Sequence, residues 1–182
     1  MKRPAIFLDR DGTLVEEVNY LHRPEETRLF AGTKEALALL KDAGFALVVV
    51  TNQSGIGRGI YTVDDMERVH TALQHELGGI IDAFYHCPHL PCDSCECRKP
   101  GLKMIRDAER DLDLDIENSW IVGDKKIDVE AGQAAGMATV LVLTGYGISH
   151  RETLDQEPKI IAADIAEAAR EILRLLSPEV IL

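Results

Sequence analysis

The stretch "IFLDRDGTLV", residues 6–15, runs from apolar β-forming residues straight into two carboxylates, Asp9 and Asp11. The apolar residues predict a buried strand that ends at Asp9. Two acids so close together each raise the free-energy cost of ionising the other. A divalent cation would cancel part of that charge, and one acid could then act as a nucleophile while the other acts as a general acid or base. The opening of the chain therefore predicts an acid pair with a chemical role.

The rest of the chain alternates between predicted strands and predicted helices. This alternation predicts an α/β fold, with a doubly wound, mainly parallel, Rossmann-like sheet covered by helices on both faces. No long linker, repeat or low-complexity tract interrupts the pattern, so residues 1–182 are expected to form a single domain. Predicted strands cover residues 5–9, 45–53, 81–87, 119–124 and 137–145, and predicted helices cover residues 32–44, 62–78, 102–112, 126–136 and 164–176.

Polar residues follow several of these strands. Because ligands collect at the carboxyl ends of parallel strands, Thr51 and Asp124 are expected to converge with the acid pair on one crevice. Asp124 and Asp128, in "IVGDKKID", offer the hard oxygen ligands that Mg²⁺ prefers. The Thr51 hydroxyl and nearby backbone N–H groups could hold phosphoryl oxygens, and Arg98 and Lys99, in "CRKP", offer cations for the same anion. One such element alone could be turn chemistry, but four at successive strand ends favour a functional site.

Composition and charge exclude several classes of protein. With 182 residues and 46% hydrophobic content, the chain is long enough for a sizeable core, while 28% charged residues argue against disorder and against a membrane protein. The net charge of -11 argues against a nucleic-acid partner, because binding to the phosphate backbone needs a basic surface. Asp9 interrupts the first apolar run too early for a signal peptide, so a cytoplasmic location is expected. We also expect a monomer that acts on a small molecule.

Four motifs of this chain resemble those of the haloacid dehalogenase-like phosphatases: the hydrophobic "DRDGT", the strand-end "TNQ", the later "RKP" and "GDKKID". They occur in the same order and the likeness covers most of the chain. The resemblance implies that Asp9 is a nucleophile that forms an aspartyl-phosphate, and that Asp11 protonates the leaving alcohol and then activates water. It also implies that Thr51 and Lys99 hold the phosphoryl group. Mg²⁺ would be bound by Asp9, the backbone carbonyl of Asp11, and Asp124.

All four cysteines lie inside the short segment 86–100. In a reducing compartment such a cluster predicts a metal site before it predicts disulfides, and four soft or borderline ligands suit tetrahedral Zn²⁺. Free buried thiols or a disulfide are the alternatives, and His86 and Cys92 are spare candidate ligands. The preferred set forms two C-x-[CH] clamps and matches how the resembling phosphatases place ligands: Cys87, His89, Cys95 and Cys97. No position is left for water, so this zinc is expected to be structural and to hold the loop that carries Arg98 and Lys99.

A zinc loop in a small, nearly capless domain resembles two subgroups of the superfamily. These are the D-glycero-D-manno-heptose-1,7-bisphosphate 7-phosphatases and the histidinol-phosphate phosphatases. "TNQSGIGRG" and "NYLHRPEETRLFAG" resemble the heptose subgroup, so removal of the 7-phosphate is the expected activity and histidinol phosphate is the alternative substrate. A zinc-stabilised module that binds or processes nucleic-acid ends is a third alternative, which the negative charge opposes. Asn19, in place of a more usual glycine, and "RKPGLKM", in place of "RKP-x-P-G", leave the anomer preference open.

The same resemblance implies a set of substrate contacts. Asn19 and Tyr20 would touch the sugar, Arg98 would help to hold the second phosphate or the sugar, and Lys125 would line the site. Arg58 is flanked by glycines that would let it reach over a ligand, although a solvated loop arginine is the alternative. The predicted substrate-binding residues are Asn19, Tyr20, Asn52, Ser54, Arg58, Arg98 and Lys125.

Two further features are expected to have no catalytic role. The segment "DLDLDIE", residues 111–117, contains an Asp-x-Asp pair, but it falls between a predicted helix and the start of a predicted strand, at the wrong end of the sheet. His70 and His75 lie on different faces of the predicted helix 62–78, and both are expected to be exposed.

Overall fold

The computed structural model describes residues 2–176, which contain one six-stranded sheet. Its strands are β1 (Arg3–Leu8), β2 (Ala46–Asn52), β3 (Ala83–Cys87), β4 (Leu114–Gly123), β5 (Ala138–Val142) and β6 (Ile160–Ala162). The strand order is β3-β2-β1-β4-β5-β6, and every neighbouring pair runs parallel. The α/β fold with a parallel sheet is confirmed.

Helices cover both faces of this sheet. They are α1 (Thr33–Asp42), α2 (Ser54–Gly57), α3 (Val63–Glu76), α4 (Lys103–Leu112), α5 (Lys126–Ala135), α6 (Gly147–Arg151) and α7 (Ile165–Leu176), with a 3₁₀ turn at Pro24–Glu26. Alternate residues of β1 point to opposite faces: Ile6 and Leu8 pack with α1, α3 and α7, whereas Ala5 and Phe7 pack with α4 and α5. The doubly wound arrangement predicted from the sequence is therefore present.

The topology creates a crevice at the carboxyl ends of β1 and β4. The chain builds β2 and β3 on one side of β1 and then returns to build β4, β5 and β6 on the other side. Connections that diverge in this way leave a gap where ligands bind. The two longest segments outside the α-helices and strands, residues 9–32 and 88–102, follow β1 and β3 and lie at this edge. Within residues 2–176 these segments are loops, and no cap domain is inserted.

Local sequence signals explain several helix ends. Thr62 begins α3 with a capping box: its hydroxyl accepts the Asp65 N–H at 3.2 Å, and the Asp65 carboxylate accepts the Thr62 N–H at 2.8 Å. Gly136 ends α5 in the left-handed region, with φ of 81°. In the described part of the chain, no helix combines the length and the apolar character needed to cross a bilayer.

The structure adds one strand and two short helices that the periodicity did not predict, β6, α2 and α6, together with the 3₁₀ turn, and it lengthens one strand. β4 begins at Leu114, inside the "DLDLDIE" segment. Leu114 pairs with Arg3 at the amino end of β1, so this acidic segment does lie at the edge of the sheet opposite the crevice.

The prediction that His70 is exposed is wrong. Its side chain is 3% exposed and stacks on Phe84 with ring centroids 4.6 Å apart. The buried stripe of α3 includes Met66 and Leu73, which are four residues before and three residues after this position, so His70 falls on the same face. Burial lowers its pKa to about 3. His75, on another face of α3, is exposed as expected.

Candidate active site

The carboxyl ends of β1 and β4 bring Asp9 and Asp124 together. Asp9 continues the pairing of the two strands, because its N–H donates to the Val122 carbonyl at 3.0 Å. Asp124 directly follows β4, and Thr51 is the second-last residue of β2. All three side chains are buried, with Asp9 at 5% and Asp124 at 0% exposure. The expected convergence of polar residues at this edge is present in the structure.

Lys99 joins Asp9 to Asp128 in a buried ion-pair network. Its Nζ lies 3.0 Å from Asp9 Oδ1 and 2.6 Å from Asp128 Oδ1, and it donates to the Val50 carbonyl at 2.7 Å. Burial disfavours the ammonium, but the Asp128 and Asp9 carboxylates outweigh it and raise the pKa of Lys99. Burial likewise disfavours the Asp9 carboxylate, but Lys99 and Lys125 outweigh it and lower the pKa of Asp9. Asp9 is therefore ionised at neutral pH, as a nucleophile must be.

Asp124 has one oxygen free to bind a cation. Its Oδ2 accepts the Tyr146 N–H at 2.8 Å, whereas its buried Oδ1 has no hydrogen-bond partner among residues 2–176. Burial and the charge of Asp9 raise the pKa of Asp124 to about 7. Asp9, Asp124 and Asp128 each place a carboxylate oxygen within 4.8 Å of the others. Lys99 and the N–H of Lys125 engage both oxygens of Asp128, whereas Lys99 engages only Oδ1 of Asp9. Asp9 Oδ2 and Asp124 Oδ1 are therefore the hard oxygens that fit Mg²⁺.

Two glycines leave the room that Asp124 occupies. A Cβ on Gly12 or on Gly145 would lie 2.2 Å from Asp124 Oδ2, and both glycines have positive φ. The loop that carries Gly145 is also tied to the loop after β1, because the Thr144 hydroxyl donates to the Gly12 carbonyl at 2.6 Å. The segment after β5 therefore fixes the position of the candidate metal ligand.

Asp11 is held by two residues that the sequence did not single out, Arg10 and Gln53. Arg10 is fully buried and donates from Nε and Nη2 to the two oxygens of Asp11, each at 3.1 Å. The Gln53 amide donates from Nε2 to Asp11 Oδ2 at 2.9 Å. A buried arginine needs acceptors to offset its lost hydration. Asp11, Gln53 and the Leu21 carbonyl supply them to Nε and Nη2, whereas Nη1 has no partner within residues 2–176. Its position between two acids in "DRD" was the only available sequence signal.

Most of the predicted site residues line one cavity of about 220 Å³ above Asp9. Arg58 is exposed and does not line it. The Asn52 side chain also positions the loop after β3, because it accepts the Lys99 N–H at 3.0 Å and donates to the Lys99 carbonyl at 3.3 Å. The predicted residues that line this cavity are Asp9, Asp11, Asn19, Tyr20, Thr51, Asn52, Ser54, Arg98, Lys99 and Lys125.

Glu17 is a cavity residue that sequence reasoning missed. It pairs with Lys125, whose Nζ lies 3.4 Å from Glu17 Oε2, 3.8 Å from Asp9 Oδ2 and 3.5 Å from Asp124 Oδ1. Burial raises the pKa of Glu17, and the neighbouring carboxylates raise that of Lys125 against the effect of burial. The Lys125 ammonium also lies 5.1 Å from the centre of the Tyr146 ring. Lys125 thus offsets part of the negative charge of three carboxylates at the mouth of the site.

The loop after β3 brings together the four predicted zinc ligands, Cys87, His89, Cys95 and Cys97, with donor atoms within 4.8 Å of one another. The imidazole donor is His89 Nδ1, which lies 3.2 Å from Cys97 Sγ and 3.6 Å from Cys87 Sγ. Desolvation opposes the Cys95 thiolate, but the Arg98 N–H and the neighbouring thiols lower its pKa to about 7. Three thiols and one imidazole are a donor set that suits tetrahedral Zn²⁺. All four cysteines are free, and Cys92 is exposed outside the cluster.

Comparison with known proteins identifies the family. Residues 96–168 match the family model described as HAD-hydrolase-like. The D-glycero-D-manno-heptose-1,7-bisphosphate 7-phosphatase of Thermosynechococcus vestitus is 38% identical over an alignment of 195 positions. This alignment covers 98% of this chain and 100% of that protein. The chain belongs to the D,D-heptose-1,7-bisphosphate phosphatase family of HAD-like hydrolases. A second member, the D-glycero-beta-D-manno-heptose-1,7-bisphosphate 7-phosphatase of Haemophilus ducreyi, is 39% identical and aligns with 82% of this chain and 88% of its own.

A solved structure of this phosphatase family has the same fold. The D,D-heptose 1,7-bisphosphate phosphatase from B. bronchiseptica, complexed with magnesium and phosphate, superposes with a TM-score of 0.88 at 33% identity. The match covers 94% of this chain and 99% of that chain. The predicted membership of the HAD-like phosphatases is confirmed, and the protein is a phosphatase of this family.

Proposed function

We propose that this enzyme removes the 7-phosphate of D-glycero-D-manno-heptose 1,7-bisphosphate through an aspartyl-phosphate at Asp9. One observation carries the proposal: the ionised, buried Asp9 is paired with Lys99 at 3.0 Å and opens into the cavity that Asp11 also lines. Phosphoryl transfer needs an aligned nucleophile with cations around the transferred group, and this arrangement supplies both. The names of the relatives support the sugar bisphosphate as substrate.

The reaction would proceed in two steps. In the first step a carboxylate oxygen of Asp9 attacks phosphorus, the bond between phosphorus and the oxygen of C7 breaks, and the Asp11 carboxyl gives its proton to the leaving oxygen. In the second step the Asp11 carboxylate takes a proton from water, which attacks phosphorus, and the bond to Asp9 breaks. The products are the heptose 1-phosphate and inorganic phosphate, and both aspartates return to their starting protonation states.

Two cations and a hydroxyl group would hold the phosphoryl group during these steps. The ammonium of Lys99 and the hydroxyl of Thr51 would contact its oxygens. Mg²⁺, bound by Asp9, the backbone carbonyl of Asp11, and Asp124, would neutralise negative charge on the phosphoryl group. Zn²⁺ in the cysteine cluster would have a structural role only.

Arg98 is the proposed contact for the 1-phosphate. It lines the main cavity and also the neighbouring surface depression formed by the zinc loop, where Leu90 and Ser94 are among its neighbours. Asn19 and Tyr20 line the cavity from the loop after β1 and would contact the sugar. We expect Arg98→Ala to raise KM for the bisphosphate about tenfold, because it removes a charge-assisted hydrogen bond. The KM for a monophosphate substrate should change much less.

We further propose that the protein is a single catalytic domain that acts as a cytoplasmic monomer. The described residues share one sheet, and Asp9, Asp11, Thr51 and Lys99 line one cavity at its edge. Four free cysteines, three of them arranged with His89 as metal ligands, suit a reducing compartment. Light scattering of the zinc-loaded enzyme tests the monomer, and a particle of twice the chain mass would contradict it.

The decisive experiment compares phosphate release from three substrates in the presence of Mg²⁺. These are the α and β anomers of the heptose 1,7-bisphosphate and histidinol phosphate. We expect kcat/KM for one or both anomers to exceed that for histidinol phosphate by about 100-fold or more. Asp9→Asn is the control, and it should lose about 10³-fold or more activity while keeping its circular dichroism spectrum. A preference for histidinol phosphate would overturn the proposed substrate, and an active Asp9→Asn variant would overturn the proposed nucleophile.

A further inference from the structure

The side-chain amide of Gln53 lies between the proposed general acid and the phosphate-binding hydroxyl. Its Nε2 donates to Asp11 Oδ2 at 2.9 Å and to Thr51 Oγ1 at 2.8 Å. Gln53 is 3% exposed, so water does not compete for these hydrogen bonds. One amide group therefore spans two residues that the proposed reaction uses.

The orientation of this amide is fixed by the chemistry of its neighbours. Gln53 Oε1 accepts from Arg10 Nη2 at 3.1 Å and from the Tyr61 hydroxyl at 2.5 Å. A guanidinium can only donate, and burial raises the pKa of Tyr61 to about 12, so its hydroxyl keeps its proton. An amide flipped by 180° would turn its NH₂ group toward these two donors. Its Nε2 must therefore face Asp11 and Thr51.

Tyr61 is itself held in place. Its ring lies against the backbone of Gly55, where an added Cβ would be 2.0 Å from the ring. His22, in the loop after β1, has its ring parallel to that of Tyr61, with the ring centroids 5.5 Å apart. The orientation of Gln53 is thus set by packing as well as by hydrogen bonds.

This arrangement makes the two oxygens of Asp11 different. Oδ2 accepts from Gln53 and from Arg10 Nε and also lies 2.9 Å from Arg10 Nη2, whereas the only contact of Oδ1 within residues 2–176 is with Arg10 Nη2, at 3.1 Å. Oδ2 has the fewer free lone pairs, so a proton on the Asp11 carboxyl belongs on Oδ1. Thr51 is the second residue to which Gln53 donates. This hydrogen bond occupies a lone pair of Thr51 Oγ1 and leaves the Thr51 O–H free to donate to a phosphoryl oxygen.

We propose that Gln53 is a positioning residue that holds Asp11 Oδ2 to the protein and thereby directs the proton of Oδ1 toward the leaving oxygen. This inference rests on the proposed function and adds a residue to it. Gln53 lines the cavity, but both N–H groups of its amide are used by Asp11 and Thr51, so it acts through these residues. A general acid contributes about 10²- to 10⁴-fold to a reaction that expels an alkoxide. It contributes little when the leaving group is already stable as an anion.

The test compares two leaving groups in the Mg²⁺-loaded enzyme. For each variant, kcat/KM is measured with the heptose bisphosphate, which expels an alkoxide, and with p-nitrophenyl phosphate, which expels a stable phenolate. Since kcat/KM reports the first irreversible step, the ratio of the two values isolates protonation of the leaving group. A weaker phosphate grip through Thr51 lowers both values equally and cancels in this ratio.

Gln53→Met keeps the length of the side chain and removes the amide oxygen and the NH₂ group. We expect it to lower the ratio about tenfold or more. Tyr61→Phe keeps the ring and removes only the hydroxyl that orients Gln53, so it should lower the ratio by a smaller factor. Asp11→Asn should lower the ratio most. Adding Gln53→Met to Asp11→Asn should then change the ratio no further, because the two residues act as one unit.

The outcomes separate this inference from the proposed function. If Asp11→Asn lowers the ratio while Gln53→Met and Tyr61→Phe leave it unchanged, Gln53 does not position the acid and the inference is wrong. If Asp11→Asn itself leaves the ratio unchanged, the proposed mechanism is wrong and the inference falls with it. Circular dichroism of each variant checks folding. If Gln53→Met does not fold, the ratio measured for Tyr61→Phe decides the test.

Discussion

Replacing His70 with leucine should make the protein more resistant to acid. The side chain of His70 is 3% exposed, it stacks on Phe84, and neither ring nitrogen has a hydrogen-bond partner within residues 2–176. Burial lowers its pKa to about 3, and the positive charges of Arg10 and His86 add to the effect. In the unfolded chain the same group has a pKa of about 6.5. The unfolded state therefore binds a proton below pH 6.5 that the folded state does not bind.

The size of the effect follows from proton linkage. The stabilisation that His70 gives as a neutral group is complete above pH 6.5 and is lost as the pH falls toward 3. At pH 5.0 the unfolded state is almost fully protonated and the folded state is not. The free energy of unfolding is then lower by about 2 kcal/mol than at pH 7.5, from this residue alone. A leucine cannot bind the proton, so His70→Leu should remove this part of the pH dependence.

Urea unfolding followed by far-ultraviolet circular dichroism at pH 7.5 and pH 5.0 measures the difference. The loss of unfolding free energy between the two values should be about 2 kcal/mol smaller in His70→Leu than in the wild type. Acid effects on the zinc cluster occur in both proteins and cancel in this comparison. The exposed His75 on the same helix gives the control, and His75→Gln should behave like the wild type. Equal losses in His70→Leu and the wild type would refute the assigned burial and charge state of His70.

Three further substitutions test the two candidate metal sites and the buried ion pair. Cys95→Ser should lower the zinc content measured by atomic absorption and should destabilise the fold by several kcal/mol, with about 3 kcal/mol as a guide. Gly145→Ala would place a Cβ 2.2 Å from Asp124 Oδ2, so the Mg²⁺ concentration for half-maximal activity should rise about tenfold. Asp128→Asn removes a charged partner of a fully buried lysine and should lower the unfolding free energy by about 3 kcal/mol in urea titrations.

Each of these substitutions has a matched control. Cys92 is exposed and lies outside the cluster, so Cys92→Ser should keep its zinc. Gly136 also has a positive φ but has nothing within 4 Å of an added Cβ, so Gly136→Ala should leave the Mg²⁺ requirement unchanged. Full zinc in Cys95→Ser, or an unchanged Mg²⁺ requirement in Gly145→Ala, would contradict the corresponding site. Wild-type stability in Asp128→Asn would show that Asp9 alone compensates Lys99.

The part of the site that could be predicted from the sequence is the part that local patterns determine. Asp9, Thr51 and Asp124 each follow or end an apolar run, and a parallel sheet brings such strand ends to one edge. The cysteine cluster is also local, because all its members fall within one loop of the chain. Alternation of strands and helices was enough to predict the doubly wound fold. β6 was missed because three residues, Ile160–Ala162, are too few to show a period.

The residues that were missed depend on contacts between distant segments. Arg10 lies between two acids in the sequence and would suit a solvated loop, but it is buried because Gln53 and the Leu21 carbonyl close around it. Gln53 was quoted only as part of a motif, and its role depends on Tyr61, eight residues further along the chain. His70 was misplaced because a polar residue on an amphipathic helix is more often exposed than buried. The spacing of His70 from Met66 and Leu73 was a local signal for its burial, whereas the environments of Arg10 and Gln53 have no such signal in the local sequence.

The cysteine cluster and Lys99, the proposed phosphate-binding lysine, share a short piece of backbone. Cys97 stands two residues before Lys99, and the Asn52 side chain holds the Lys99 backbone from the opposite side. A metal ion in this cluster would thus set the position at which the backbone carrying Lys99 enters the candidate active site. In a cell short of zinc, newly made enzyme would then fold with Lys99 displaced from the site. Sugar-phosphate turnover would then follow the zinc supply, without any inhibitor bound at the site.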